Sequence, residues 1–273
     1  MKRAFKTAMA VFVLVFLFVT YLYSQSTAGT ELNLGVEAYR KARYEEAIQH
    51  LEKAVTLAPE NGVAHMYLAT TYSQRYIPGE ETPENSRFAE QAIEHYQHAL
   101  NSDVVPSAKI NSTKGIASLY LSMKKFDDSK KYNRMASDLD PKDAEPYYSI
   151  GVIDWTQSYQ PRMEERAKLG LKPEETLNPK NREQKKVCDE LKAKNMPTIE
   201  EGIESLNKAI QLRPDYDDAM AYMNLMYREK ADLECDDLAA RQQDLKTADQ
   251  WVDKTLGFKK AKAEKDAQPD AKQ

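Results

Sequence analysis

The sequence predicts an all-α protein, and two observations lead to that prediction. Helix-favouring residues dominate the 273-residue chain, whereas glycine (9) and proline (12) are scarce. Runs rich in Val, Ile and Thr, which a β-sheet needs, are confined to the N-terminus, so an all-helical fold is the simplest interpretation. The second observation is a repeat of small side chains at fixed spacing, which is typical of stacked helix pairs.

The repeat is clearest in residues 34–59, LGVEAYRKARYEEAIQHLEKAVTLAP. Gly35 is followed by Ala47 and Ala54 and then by Pro59. Small residues are needed where the two helices of a hairpin cross, and proline follows a helix that it cannot continue. The small residue of the first helix recurs as Gly35, Ala69, Ala117, Gly151 and Asn224. The small residue of the second helix recurs as Ala47, Ala92, Ser129, Gly202 and Ala248.

This pattern resembles the tetratricopeptide repeat (TPR) family, which has a period of 34 residues. The same number separates Gly35 from Ala69 and Ala117 from Gly151. The resemblance covers about residues 28–256, apart from insertions, and implies a right-handed α-solenoid of about five helical hairpins. The predicted organisation is a signal peptide or N-terminal membrane anchor over residues 1–28, the solenoid over 29–256 and a disordered charged tail over 257–273.

Three of the predicted hairpins carry insertions between their two helices, at about residues 77–87, 158–197 and 232–243. The first reads as a loop, with Thr82 and Pro83 as the N-cap and first turn of the next helix. In the second, we expect helix within 181–194, a stop at Pro197 and a capping box at Thr198 that opens the next helix. The third insertion lacks Gly and Pro, which predicts that it lengthens the two helices of its hairpin. Because each insertion occupies the same turn of its hairpin, we expect all three to leave from one edge.

The N-terminus is predicted to direct export. Lys2, Arg3 and Lys6 form a basic head, residues 7–23 carry no charge, and small polar residues follow, in the order of a secretory signal. The apolar run lies between the length of a signal core and that of a minimal membrane span, so a cleaved signal and an uncleaved anchor stay open as alternatives. Both place the body beyond the membrane, either in the periplasm or anchored in the inner membrane facing the periplasm.

The charge balance and the motifs exclude several classes of function. The formal net charge is −4, and an acidic chain argues against nucleic acid as a partner. The predicted membrane contact is limited to the N-terminal segment, if it is uncleaved. The sequence has no Gly-rich phosphate loop, no nucleophile elbow and no convincing Ser/His/Asp arrangement. We therefore predict that the protein is not an enzyme and that it has no cofactor.

The cysteines and histidines are the candidate chemical sites of the sequence. Cys188 and Cys235, the only cysteines, lie in the second and third insertions, and we predict a disulfide between them because an exported protein folds in oxidising surroundings. Two unrelated thiols are the alternative. His95 and His98 lie three residues apart, a spacing that a metal site can use. A solvated helix face is the better interpretation, and no metal site is predicted.

In TPR proteins the first helix of each hairpin lines a concave groove that often holds a peptide. The spacing of the small residues, which we call the repeat frame, places aromatic side chains and cations on this face. Aromatic side chains give contact area, and cations can bind carboxylates. The candidate partner-binding residues are Tyr39, Arg40, Met66, Tyr67, Lys114, Tyr148, Trp155, Tyr222 and Arg228. The chain's own N-terminal or inserted segments are an alternative occupant of the groove.

The resemblance implies a non-catalytic scaffold or adaptor of the cell envelope that binds a protein or peptide segment in the concave groove. One alternative is a structural subunit of an envelope assembly, secretion or wall-maintenance machine that contacts partners through its insertions. Another is an enzyme accessory that binds glycan through its aromatic side chains. Proteins with repeat folds bind many different partners, so the sequence predicts a protein or peptide partner without identifying it.

Overall fold

The structure, a computed structural model, describes residues 27–172 and 175–266. The predicted export segment lies outside these residues, except for Thr27 and Ala28, which are helical. The described part of the chain contains ten helices and no strand. None of those helices is long and apolar enough to cross a membrane.

The helices divide between two compact units that meet in sequence at Lys125 and Phe126. The first unit contains α1 over 27–40, α2 (Tyr44–Leu57), α3 (Gly62–Arg75), α4 (Pro83–Asn101) and α5 (Pro106–Ser122). The second contains α6 (Phe126–Leu139), α7 (Ala144–Lys168), α8 (Arg182–Leu212), α9 (Asp217–Asp232) and α10 (Leu238–Asp266).

Within each unit, helices pack on their neighbours in sequence and also on the next helix but one. In the first unit α3 packs on α4, and it also contacts α5. In the second unit α7 packs on α8 and α9 on α10, while α7 also contacts α9. The first helices of successive hairpins therefore lie side by side, as they do in a TPR-like α-solenoid. The predicted all-α fold class is confirmed.

The glycines of the repeat frame lie where helices approach most closely. A Cβ atom on Gly35 would lie 2.5 Å from Leu51 Cγ, and one on Gly151 would overlap Leu206. A Cβ on Gly202 would overlap Met226 Cε and come within 2.9 Å of Asp154 Cβ. These contacts are the physical reason for the small residues in the frame, because a larger side chain would force the helices apart.

The first insertion is an ordered loop that ends as predicted. Thr82 caps α4 by accepting a hydrogen bond from the Asn85 backbone N–H at 3.2 Å, and Pro83 occupies the first turn. The buried Asn85 side chain also stabilises the loop, because its Nδ2 donates to the carbonyls of Ile77 and Glu80 at 2.8 and 2.7 Å. One buried amide thus fixes the connection between α3 and α4.

The prediction for the second insertion was wrong at Pro197. Helix α7 continues to Lys168, and α8 runs without a break from Arg182 through Pro197 to Leu212, so Thr198 opens no new helix. Pro197 is exposed, while Leu191 and Ile199 on either side of it are buried. Because the packed face of α8 is continuous, burial outweighs the one backbone hydrogen bond that proline removes.

Two further boundaries differ from the sequence predictions. A turn over residues 233–237 separates α9 from α10, although this stretch contains neither Gly nor Pro. The tail predicted to be disordered from residue 257 is helical as far as Asp266, where the described residues end. Phe258 packs against the core of the second unit, which explains why α10 continues past Gly257.

Candidate functional site

Five aromatic side chains of the second unit form a continuous row that we call the aromatic strip. In order of contact they are Tyr216, Tyr148, Tyr222, Trp155 and Tyr159. The distances between consecutive ring centroids are 4.8, 5.8, 5.6 and 4.9 Å. These separations are those of interacting aromatic pairs, so the rings form one connected surface.

The strip arises because α7 and α9 lie side by side. Helix α7 carries Tyr148, Trp155 and Tyr159, seven and four residues apart, which places them on one helix face. Helix α9 carries Tyr222, and Tyr216 directly precedes that helix. Except for Tyr216, which is buried, the strip residues are only partly buried, so the strip keeps an accessible side.

Four of the five strip residues carry a polar atom that has no hydrogen-bond partner among the described residues. The hydroxyls of Tyr148, Tyr159 and Tyr222 and the Trp155 Nε1–H make no hydrogen bond to any described residue, and none of these atoms is sealed from solvent. The Tyr216 hydroxyl, in contrast, donates to Glu145 Oε2 at 2.9 Å. Burial raises the pKa of Tyr148 to about 12, so its hydroxyl stays protonated at neutral pH. Such groups usually find partners when they are covered, so the strip has free donors for a ligand.

Charged groups flank the strip at both ends. At one end Arg213 stacks on Tyr216, with Cζ 4.1 Å from the ring centroid, and pairs with Glu145 at 3.5 Å. Asp218, nearby on α9, makes no ion pair within the described part of the chain, and its charge adds to the rise in the Tyr148 pKa. At the other end the Arg162 guanidinium lies 5.5 Å from the Tyr159 ring centroid. Since Arg213 pairs with Glu145, Asp218 leaves an uncompensated negative charge near Tyr148.

The structure brings together three of the four predicted binding residues of the second unit. Tyr148, Trp155 and Tyr222 all belong to the aromatic strip. Arg228 instead donates to Asn224 Oδ1 at 2.9 Å and to Asp249 Oδ1 at 2.8 Å, so its charge is already paired.

The repeat frame missed Tyr159 and Tyr216. Tyr159 was missed because α7 was expected to end near Ser158, although its position four residues after Trp155 fits the same face. Tyr216 lies just before the first residue of α9, outside the helical frame.

In the first unit the predicted binding residues are brought together only in part. Tyr39 and Tyr67 contact each other with their ring centroids 6.2 Å apart, and burial raises the pKa of Tyr39. Met66 and Lys114 are partly buried in α3 and α5, and Arg40 is exposed at the end of α1. This pair of rings is a smaller surface than the aromatic strip.

Three of the four histidines form a cluster across α3 and α4. His65 Nε2 donates to the Pro59 carbonyl at 2.8 Å, which leaves its Nδ1 to accept from His95 Nδ1 at 3.0 Å. The His98 ring stacks on His65 with a centroid distance of 4.8 Å. Burial lowers the pKa of His65 and lowers that of His95 to about 4.

The sequence predicts that His95 and His98 lie on a solvated helix face. This is correct for His98, which is exposed, and wrong for His95, which is partly buried and hydrogen-bonded to His65. Within residues 27–172 and 175–266, no group of three or more His, Cys, Asp or Glu side chains is arranged to bind a metal ion.

The structure joins Cys188 and Cys235 in a disulfide, as the sequence predicts, with their Cα atoms 6.4 Å apart. The bond ties α8 to the turn between α9 and α10, so the second and third insertions share an edge. Ion pairs from Lys185 to Asp236 and from Lys192 to Glu234 flank it. This part of the second unit is thus cross-linked both covalently and by charge.

Comparison with known proteins agrees with this geometry. A sequence model described as "Tetratricopeptide repeat" matches residues 32–61, the stretch where the repeat is clearest. The chain therefore contains a tetratricopeptide repeat and has a TPR-like fold. None of the curated proteins matches it in sequence. The sequence match covers one repeat, so the evidence for the TPR fold in the rest of the chain comes from solved structures.

Three solved structures illustrate the similarity. A structure described as MamA protein is 17% identical, with a TM-score of 0.56, and the match covers 87% of this chain and 94% of that one. MamA (residues 41 to the end) from Desulfovibrio magneticus RS-1 is 14% identical, with a TM-score of 0.55 and coverage of 86% and 96%. YrrB, described as a TPR protein with an unusual peptide-binding site, is 12% identical, with a TM-score of 0.51 and coverage of 85% and 90%. At these identities the similarity shows the TPR fold alone.

Proposed function

We propose that this TPR protein is a non-catalytic scaffold of the cell envelope that binds a protein or peptide segment along the aromatic strip. The observation that carries the proposal is that four of the five strip rings are partly buried and have a hydroxyl or indole donor with no partner among the described residues, namely Tyr148, Trp155, Tyr159 and Tyr222. Tyr and Trp give large contact areas at low entropic cost and supply directional donors as well. A peptide backbone has the carbonyl oxygens that these donors need.

The position of the strip supports the proposal. It lies on α7 and α9, the first helices of successive hairpins, which is the face that holds peptides in many TPR proteins. YrrB, with a similar fold, is described as having a peptide-binding site. Tyr148, Trp155 and Tyr222 also pack against the core of the second unit, so the strip is held rigid before a ligand arrives.

Selection from a random-peptide phage library tests the binding function. Selected peptides are titrated against the Trp251→Phe protein, in which Trp155 is the only tryptophan and reports on the strip. We expect a change in Trp155 fluorescence on binding and a loss of affinity in Tyr148→Phe/Tyr222→Phe, which removes only two hydroxyls. The matched control is Tyr147→Phe/Tyr227→Phe, which alters tyrosines of the same two helices outside the strip. Equal loss in both variants, or no selected peptide, would contradict the proposal.

The envelope location is proposed from the N-terminal sequence, with its basic head and uncharged run. Expression of the full chain with a C-terminal reporter that is active only outside the cytoplasm tests it. Sequencing the N-terminus of the mature protein separates a cleaved signal from an inner-membrane anchor. A fusion that is produced at full length but gives no reporter activity would contradict an exported scaffold.

A second candidate function is a structural subunit that contacts its partner through the insertions. The cross-linked edge around Cys188 and Cys235 favours it, because a covalently fixed surface suits a permanent contact. A photo-cross-linking residue in place of the exposed Lys186 reports on this edge, and one in place of Tyr222 reports on the strip. Adducts at position 186 alone would favour the structural role over the strip.

A further inference from the structure

We propose that the aromatic strip selects proline-rich segments in the polyproline II conformation that carry a lysine or arginine next to Asp218. This inference rests on the proposed peptide-binding function and names its ligand class. Three observations carry it: the succession of ring orientations along the strip, the unpaired donors and the unpaired carboxylate of Asp218.

The first observation is the shape of the strip. The Tyr148 and Tyr222 rings meet at 78°, and so do the Trp155 and Tyr222 rings, whereas the Trp155 and Tyr159 rings stack at 22°. Edge-to-face contacts leave notches between rings instead of a flat plate. Rings 4.8 to 5.8 Å apart correspond to about one ring per one and a half to two residues of a polyproline II helix, which rises about 3.1 Å per residue. Proline rings fit notches of this kind, as in other aromatic-lined grooves.

The second observation is the excess of donors. Trp155 Nε1–H can only donate, and it and the hydroxyls of Tyr148, Tyr159 and Tyr222 have no partner among the residues that the structure describes. A polyproline II segment leaves every carbonyl free, and proline has no N–H that would need an acceptor. A helical peptide uses its carbonyls internally and could not satisfy these donors. The strip therefore favours an extended, proline-containing backbone over a helix.

The third observation is charge complementarity. Asp218 and Tyr222 are four residues apart on α9, so they share a face, and Asp218 has no ion-pair partner in the described part of the chain. Glu145 also faces Tyr148, although Arg213 pairs with it. A lysine or arginine of the ligand at this end would pair with Asp218 and could rest on a neighbouring ring. An acidic residue there would meet like charge.

Four labelled peptides of equal length test the proposal by fluorescence anisotropy with the full-length protein. They are a lysine-flanked proline-rich peptide, the same peptide with glutamate for lysine, the same peptide with alanine for each proline, and an amphipathic helix. We expect the first to bind best, the glutamate peptide to bind about threefold to tenfold more weakly, and the alanine peptide to lose at least as much. In Asp218→Asn the difference between the lysine and glutamate peptides should shrink and lose its salt dependence.

The outcomes separate this inference from the function on which it rests. If library peptides bind the strip but show no enrichment in proline, or bind Asp218→Asn as selectively as the wild type, the ligand class is wrong while peptide binding stands. If peptides of any class bind without any effect of Tyr148→Phe/Tyr222→Phe, both proposals fail. Binding of the proline-rich peptide only after removal of residues 267–273, which contain Pro269 and Lys272, would assign the strip to the chain's own tail and overturn the inference.

Discussion

Arg162 and Glu229 form a bidentate ion pair that buries both charges at the Tyr159 end of the aromatic strip. Arg162 Nε donates to Glu229 Oε2 at 2.7 Å, and Nη2 donates to Oε1 at 2.5 Å. Arg162 also lies 2.8 Å from Asp232, which connects the extended part of α7 to the end of α9. Burial raises the pKa of Glu229 even though Arg162 opposes the rise, so the desolvation of this carboxyl outweighs its attraction to the guanidinium.

Removal of one partner of this pair is expected to be strongly destabilising. Glu229→Ala leaves the Arg162 guanidinium buried and only partly compensated, and we expect a loss of about 3–5 kcal/mol in the free energy of unfolding. Arg162→Met/Glu229→Leu replaces both charges by apolar groups and should lose much less than the sum of the single changes. Urea unfolding of Glu229→Ala, of the double variant and of its two single variants, Arg162→Met and Glu229→Leu, measures this. Arg228→Met is the matched control, since its exposed pair with Asp249 should contribute only about 0–1 kcal/mol. Additive losses in the double variant would contradict the expected coupling.

Replacing Gly202 by alanine tests the close helix crossing in the second unit. A Cβ there would overlap Met226 Cε and crowd Asp154, so we expect a loss of about 1–3 kcal/mol in the free energy of unfolding. Gly257→Ala is the control, because its Cβ would meet no atom within 4 Å and alanine favours the helix by about 0.5–1 kcal/mol. Thermal unfolding by circular dichroism should give shifts of opposite sign. A Gly202→Ala protein as stable as the wild type would mean that Met226 moves aside freely.

The histidine cluster predicts a loss of stability in mild acid. Burial lowers the pKa of His95 from 6.5 to about 4 and also lowers that of His65, so the folded state resists protonation that the unfolded chain accepts. The contribution is therefore complete above pH 6.5 and decreases as the pH falls from 6.5 to about 4. Urea unfolding between pH 4 and 8 should show this slope, and His95→Phe, which keeps a ring beside Tyr72, should flatten it. Gln97→Ala, at an exposed and non-titrating position of α4, should retain the wild-type slope. An unchanged slope in His95→Phe would assign the acid sensitivity to other groups.

The disulfide predicts a redox-dependent stability. Cys188 and Cys235 are 47 residues apart, and a closed loop of this length contributes about 4 kcal/mol in the chain-entropy model. Cys188→Ala/Cys235→Ala and the reduced wild type should both unfold at lower urea concentration than the oxidised protein. Since reductant has no bond to break in the double variant, it should leave that variant unchanged. Free thiols in the unreduced wild-type protein would show that the bond does not form.

The sequence predicts the repeat frame well because that frame depends on local size. Gly35, Gly151 and Gly202 were identified by spacing, and each lies at a helix contact that excludes a Cβ. Three of the strip residues were predicted for the same reason, because they share a face with the frame positions. What depends on distant partners could not be predicted. The path of α8 through Pro197 depends on burial of Leu191 and Ile199, and the pairing of Arg162 with Glu229 joins residues 67 apart.

Helices α7 and α8 are longer than those of a standard repeat. Because of this, the repeats of the chain are not interchangeable modules. Nearest-neighbour repeats can often be grafted, deleted or replaced by consensus versions. Replacing residues 158–197 by a standard short turn would remove Arg162, Arg166 and Cys188 together. Glu229 and Asp232 would then lose the guanidinium groups that neutralise them, and Cys235 would be left unbonded. The neighbouring repeat therefore depends on this hairpin, and the two can be transplanted only as a pair.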